Sequence, residues 1–323
     1  MKRAASQAPK PRKRPFDGVL LLDKPAGITS QTAVLKAKHL YSAAKAGHTG
    51  TLDPMASGLL PVCFGEATKF SHLLLDADKQ YAATIRLGVV TSTGDMEGEI
   101  ISTHPVSVER SDVEGVLGRF VGEILQTPPM YSALKHQGKP LYRYARAGLE
   151  VKREPRRVCI HHVHLENYAG NEIQVSVACS KGTYIRVLAE DIGRALGCGG
   201  SLSALRRTGV GALRVEEAVG LDFLHGLDAQ ERERHVRPID TLVAALPRID
   251  LDASQARRIR SGLTLDSFAL LPLGLVRLYG PERDYLGIAT VEPHGALVPR
   301  RLMATAPARP AERKRCPEQP DIA

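Results

Sequence analysis

Tyr81-Ala-Ala-Thr-Ile-Arg-Leu-Gly-Val89 alternates cleanly: Tyr81, Ala83, Ile85, Leu87 and Val89 fall to one side of an extended chain, and Ala82, Thr84, Arg86 and Gly88 to the other. Successive side chains of a strand point to opposite sheet faces, so this period of two predicts a half-buried strand that begins at Tyr81. The pattern returns at Ile173, Val175, Val177 and Cys179, which alternate with Gln174, Ser176 and Ala178. Between and around these strands the helical patterns follow no βαβ rhythm. The fold class is therefore α+β, with a mixed, largely antiparallel sheet.

Upstream, Gly18-Val-Leu-Leu-Leu-Asp23 is a short apolar run closed by Lys24-Pro25-Ala26-Gly27, a buried strand and its turn. Thr29 or Ser30 can cap the helix that follows, whose apolar face is Ala33, Val34, Ala37 and Leu40 or Tyr41. Residues 46–58 carry too many glycines for regular structure before Pro54 and read as a loop. Downstream, Ser111-x-x-Glu114 is a capping box that predicts a helix over 112–120. The segment from Gln126 to Tyr142 holds Pro128, Pro129 and Pro140 and reads as exposed and partly mobile. Ile185, Leu188, Ala189, Ile192 and Leu196 lie at helical spacing, with Gly197 placed to end the element.

Near Pro247 the pattern shifts to a second, β-rich unit containing Leu275–Tyr279 and Tyr285–Val291. The organisation expected is a basic disordered arm over 1–16, a large domain over 17–247, a small domain over 248–303 and a disordered tail over 304–323. The net charge is +9, of which +6 lies in residues 1–15, leaving +3 for the rest. A polyanionic partner fits that balance, and a binding face on the body must come from local clustering of its bases. Cys63, Cys159, Cys179, Cys198 and Cys316 form no Cys-x-x-Cys pair, which argues against a zinc ribbon or a disulfide framework. No apolar run approaches the roughly 20 residues of a membrane span. A cytoplasmic protein is expected.

Asp53, in Gly47-His48-Thr-Gly-Thr-Leu-Asp53-Pro54, is the most suggestive acid in the chain, since two glycines permit a tight path around one carboxylate. Asp-Pro is also an ordinary helix start, with the acid as N-cap and Pro at the first helical position. A nucleophilic carboxylate needs a fixed guanidinium to keep it ionised, and Arg186, at the end of a strand and two residues from Tyr184, is the candidate; taken alone, such an arginine is more often a structural or surface ion pair. Tyr81 could stack on a base or simply belong to the core. His48 could contact phosphate or be a turn residue. In the cluster His161-His162-Val163-His164, His162 and His164 share a strand face but no third ligand lies at a recognisable spacing, so no metal site is assigned. Neither a Gly-x-x-x-x-Gly-Lys-[Ser/Thr] loop nor Gly-x-Gly-x-x-Gly is present, and nucleotide cofactors have no visible home.

Leu22-Asp-Lys-Pro-Ala-Gly-Ile-Thr-Ser30 and the run from Gly47 to Phe70 closely resemble the first two signature blocks of the TruB family of pseudouridine synthases, bacterial type. Lys79-Gln-Tyr81, Thr91-Ser-Thr-Gly-Asp95, the block from Gln126 to Lys135, Cys179 to Arg186 and Leu205-Arg-Arg-Thr208 follow in the family's order, so the resemblance spans residues 17–303. It implies an enzyme that isomerises uridine 55 in the T-loop of transfer RNA, with Asp53 as nucleophile and no cofactor or metal. It further implies that Tyr81 stacks on the extruded uracil and helps remove the C5 proton, and that Arg186 pairs with Asp53. Tyr184 and Leu205 would enclose the base, His48 would stand near the flipped nucleotide, and Lys24 and Lys69 would bind substrate. Residues 127–150 would close on the RNA, and 248–303 would form a PUA-like RNA-binding domain. Arg143 departs from the family, which usually has an acid there. A monomer with no protein partner is implied; the alternatives are a non-catalytic RNA-binding or RNA-folding protein and a guide-RNA-dependent subunit.

Overall fold

A computed structural model of the chain describes residues 14–304, apart from 267, 269 and 270. Most of the basic arm and nearly all of the expected tail, with Cys316, lie outside the described residues. Chain contacts divide the protein after Ala245 into two units.

In the first unit the elements run β1 (Gly18–Lys24), α1 (Ser30–Leu40), β2 (Ala46–His48), β3 (Ser57–Phe64), α2 (Ser71–Leu75) and β4 (Lys79–Leu87). There follow β5 (Val89–Thr91), β6 (Ile100–Thr103), α3 (Arg110–Gly118), β7 (Gly122–Gln126), the two-residue strands β8 (Lys135–His136) and β9 (Lys139–Pro140), and α4 (Leu141–Arg146). Then come β10 (Arg156–Ala169), β11 (Glu172–Cys179), α5 (Ile185–Ala195) and β12 (Gly200–Val210). The main sheet has the order β1-β3-β12-β4-β11-β10-β7. Every neighbouring pair on that path is antiparallel except β3 and β12, which run parallel.

β1 is apolar on both faces because both are covered: Val19, Leu20, Leu21 and Leu22 are all buried. Each such side chain contributes on the order of 2 kcal/mol through the area it removes from water. β4 and β11 instead show the alternating burial expected from their sequence, with Ala83, Ile85 and Leu87 facing Val175 and Ile173 in the core. Thr29 caps α1, its side chain accepting the Thr32 N–H, and Ser30, Ala33, Val34 and Ala37 form the buried face. α5 lies against the start of β12, and a Cβ at Gly193 would come within 2.2 Å of the Gly200 nitrogen, so only glycine permits that approach.

Several local expectations are corrected. Residues 46–58 are not one loop: β2 pairs with β3, whose first two residues are Ser57 and Gly58. No helix starts at Pro54; Asp53 closes a turn instead, its carbonyl accepting the Ala56 N–H at 3.1 Å. α3 is capped two residues upstream of the Ser111 box, with the Asp112 carboxylate accepting the Glu109 N–H at 2.9 Å. Glu114 is taken by Arg110 one turn away, at 2.8 Å, and so cannot reach back to the helix start. Arg186 stands in the first turn of α5, not at a strand end, because β11 stops at Cys179 and residues 180–184 turn back through the Thr183 hydroxyl bond to Ser180 O.

The second unit is a four-stranded sheet of Arg248–Asp250, Gly274–Tyr279, Tyr285–Val291 and Leu297–Leu302, in that order. A helix, Ala253–Arg260, starts at an Asp252 cap with Gln255 reaching back. Ile249, Ile259, Val276, Leu278, Leu286 and Leu297 are its core. Among the described residues no helix is long and apolar enough to cross a membrane.

Candidate active site

A cleft of about 560 Å³ opens in the first unit, and Asp53, Tyr81, Tyr184, Arg186 and Leu205 line it together. Two strands, one loop and one helix deliver these residues. The loop between β2 and β3 carries Asp53, β4 carries Tyr81, β12 carries Leu205, and the start of α5 carries Tyr184 and Arg186. Tyr184 is fixed through its backbone, whose N–H donates to the buried side-chain oxygen of Gln126 at the end of β7, at 3.0 Å.

Arg186 organises the cleft. Its Nε donates to Asp53 Oδ2 at 2.9 Å, Nη1 to Thr93 O at 2.9 Å and Nη2 to Tyr131 O at 2.7 Å. Asp95 Oδ2 lies 3.5 Å from the same Nε. The Arg186 side chain is 5% exposed and Asp95 6%, whereas Asp53 keeps 38%. The cation is thus held from behind by a buried acid and two carbonyls while one carboxylate faces the opening. Such an arrangement holds the Asp53 carboxylate in one orientation at the mouth of the cleft.

The phenol of Tyr81 is pushed above its ordinary pKa by burial, with the nearby Arg207 guanidinium acting in the opposite direction. Burial likewise raises Tyr184. Both rings are held as neutral phenols beside the Asp53 side chain, suited to packing on a flat, uncharged heterocycle. His48 sits at the edge of this region, its Nδ1 accepting the Gly50 N–H at 3.2 Å, and its pKa is lowered by burial and by Arg207. A neutral imidazole bracing a turn is what the structure assigns to it.

Two expected substrate-binding residues stand elsewhere. Lys24 is buried, and its ammonium donates to Pro25 O, Ile28 O and Pro54 O at 2.9, 2.7 and 3.4 Å. It ties the turn after β1 to the residue following Asp53 and has no face left for RNA. Lys69 pairs with Glu66 one turn away, at 2.5 Å, and does not line the cleft. The segment from Gln126 to Tyr142, expected to be exposed, is covered over more than half of its length and is anchored: Tyr131 O meets Arg186, and Pro128, Ser132 and Leu141 are buried. Arg143 is exposed on α4.

Sequence reasoning gave no role to Asp95, Arg207 or the carbonyls of Thr93 and Tyr131. For Arg207 a signal existed. In an alternating strand it shares a face with Leu205, two residues earlier, and a charged residue in the core phase of a strand marks a buried electrostatic task.

Comparison with known proteins decides what this cleft belongs to. Residues 38–185 match the model of the TruB family pseudouridylate synthase N-terminal domain, 186–244 that of the tRNA pseudouridylate synthase B C-terminal domain, and 247–303 that of the pseudouridine synthase II TruB C-terminal region. The chain is 54% identical over 306 residues to the tRNA pseudouridine synthase B of Burkholderia mallei, covering 92% of this chain and 98% of that one. The chain belongs to the TruB family of pseudouridine synthases. The same-named protein of Aromatoleum aromaticum is also 54% identical, over 301 residues, covering 93% of this TruB-family chain and 97% of its own. A crystal structure of a Cbf5-Nop10-Gar1 complex contains a chain of similar fold, with a TM-score of 0.68 and 26% identity over 88% of the TruB-family chain and 84% of that chain. The α+β class with its separate C-terminal β unit is therefore that of pseudouridine synthases.

Proposed function

We propose that this synthase isomerises uridine 55 in the T-loop of transfer RNA to pseudouridine, as a cytoplasmic monomer needing neither cofactor nor protein partner. The observation that carries the reading is the Asp53–Arg186 pair, a half-exposed carboxylate held by a buried guanidinium at 2.9 Å in a cleft with two phenols. The reaction requires a base to leave its nitrogen–carbon bond, turn and rejoin through C5, which cannot occur inside a stacked loop, so the nucleotide is flipped into the cleft. Asp53 attacks as nucleophile, Tyr81 stacks on the uracil and helps remove the C5 proton, and Tyr184 and Leu205 enclose the ring. Arg186 releases Asp53 as substrate enters while Asp95 and two carbonyls retain the cation. Substrate and product are isomers, so the electron balance closes without a redox partner.

Residues 127–150 close over the RNA, shedding water from the site, and residues 248–303 add a PUA-like contact to backbone and shape. The choice of transfer RNA without a guide is supported by the names of the 54% identical relatives. A guide-dependent role has the Cbf5 chain in its favour, at the lower identity of 26%. Incubating an unmodified transfer RNA transcript with the purified protein alone and mapping pseudouridine by mass spectrometry tests the reading. Pseudouridine confined to the T-loop is expected; bound but unmodified transcript would overturn it in favour of a folding or guided role.

A further inference from the structure

Arg207 is among the largest fully buried side chains of the protein, at 1% exposure, and no carboxylate pairs with it among the described residues. A buried guanidinium without a counter-ion is costly, and an apolar side chain of similar volume would be cheaper to bury. Its neighbour Arg206 shows the ordinary alternative: it points to the other face, remains 42% exposed and grips Asp23 through two bonds of 3.0 and 2.7 Å. Arg207 instead addresses backbone. Nε donates to Leu59 O at 2.8 Å, Nη2 to Gly50 O at 3.1 Å and Nη1 to Thr51 O at 3.4 Å. Gly50 and Thr51 are the residues that lead into Asp53.

On its other side Arg207 pairs with Tyr81 across the β12–β4 ladder, and with Gly58 across the β12–β3 ladder. Directly opposed residues in a sheet have Cβ atoms only about 5 Å apart and on the same face. The close approach of β3 is enforced at Gly58, where φ is +102° and an added Cβ would lie 2.3 Å from Arg207 O. One side chain therefore touches the run that carries the carboxylate and faces the strand that carries the phenol.

We infer that Arg207 is a positioning residue for the reaction: its uncompensated guanidinium locks the Gly50–Thr51 backbone to β12 and β4, setting the spacing between Asp53 and Tyr81 and favouring electron density on the Tyr81 oxygen. The inference rests on the roles given above to those two residues. The charge balance agrees with the geometry. Burial lowers the pKa of Arg207, Tyr81 is the group that counters it, and Arg207 in turn opposes the burial that raises Tyr81. The charged or titratable groups that face the phenol are Arg207 from β12, Cys179 from β11 and Asp53 from its loop.

Full-length Arg207→Lys and Arg207→Met provide the test, with turnover measured on the unmodified transcript and the Tyr81 phenol titrated by ¹⁹F NMR in 3-fluorotyrosine-labelled protein, assigned through Tyr81→Phe. An ammonium keeps the charge, but a single nitrogen cannot replace the separate Nε, Nη1 and Nη2 that reach Leu59 O, Thr51 O and Gly50 O. Both variants should lose about 10²-fold in kcat, the cost of misplacing a reacting group by about 1 Å, with KM for the transcript changed by less than about threefold. The Tyr81 titration should move to higher pH in Arg207→Met and stay near its wild-type position in Arg207→Lys. Wild-type kcat in Arg207→Lys, or a Tyr81 titration that is the same in Arg207→Met and wild type, overturns the inference. Should Arg207→Met fail to fold, Arg207→Lys decides through its kcat alone. If wild-type protein makes no pseudouridine, the functional reading fails, and the titration still reports whether Arg207 governs the phenol.

Discussion

The cleft of the first unit and the sheet of the second use basic residues in opposite ways. In the second unit Arg248 pairs with Asp250 and lies over the Tyr279 ring at 3.9 Å, Arg260 pairs with Asp284, and Arg300 pairs with Glu292, all with guanidinium groups well exposed. Around the cleft Lys24, Lys79, Arg186 and Arg207 are buried and address mainly backbone carbonyls. Lys79, for example, donates to Leu74 O, Leu75 O and Ala77 O, closing the end of α2. Exposed pairs are screened by water and contribute little beyond solubility and long-range attraction. Buried cations bound to carbonyls fix loop geometry, and their field is felt by whatever enters the cleft. The same residue types thus serve as surface charge on the second unit's sheet and as scaffold around the cleft, and burial makes the difference.

That contrast can be broken most severely at its centre. Asp53→Asn retains shape and should lower the rate of pseudouridine formation by about 10³-fold or more, since an amide is not a nucleophile of comparable strength, while filter binding of the transcript stays close to wild type. Wild-type turnover in that variant would remove Asp53 from the chemistry. Arg186→Met leaves Asp95 buried without its cation, and urea unfolding should show a loss of about 3 kcal/mol. A stability equal to wild type would mean that the 3.5 Å Asp95 contact is already solvated.

Lys24→Met should cost about 2 kcal/mol at pH 9 in the same assay, because carbonyls that accepted from the side-chain nitrogen lose their donor. The lysine also sharpens the comparison through pH. Burial pushes its pKa from 10.5 down to about 8. Between those values the unfolded chain holds the proton and the folded chain sheds it, so raising the pH favours the folded state across this window. The thermal midpoint of wild type relative to Lys24→Met should therefore climb from pH 8 to 10.5, and a flat difference would show a solvated amine. At the far end of the scale, Arg300→Ala removes an exposed pair with Glu292 and should alter stability by no more than about 0.5 kcal/mol. A loss as large as that of Lys24→Met would erase the distinction between the two units.

Much of this architecture is written in local pattern. The alternation of residues 81–89 and 173–179 marks β4 and β11, the Thr29 cap and the spacing of Ala33, Val34 and Ala37 mark α1, and the shift at Pro247 falls close to the observed division after Ala245. Asp53, Tyr81 and Arg186 could be singled out because glycines, strand phase and a lone arginine near a tyrosine are visible along the chain, and the ordered family blocks joined them into one reading. β2 and the start of β3 were hidden in a glycine-rich stretch, since their pairing is held by partners in sequence-distant strands and not by propensity.

The sequence by itself determined the α+β class and the second unit, which depend on periods of two or a little under four, the nucleophile candidate, which depends on residue type and neighbours, and the family, which its ordered blocks carry by resemblance. Only the tertiary structure decided that Asp95 and two carbonyls stand behind the expected Arg186–Asp53 pair, that Lys24 is enclosed and unavailable to RNA, and that Arg207 joins the Asp53 run to the Tyr81 strand. The physical reason is that a charge takes its role from the dielectric and the partners around it. Those are set by the order of strands in the sheet, which no local period encodes.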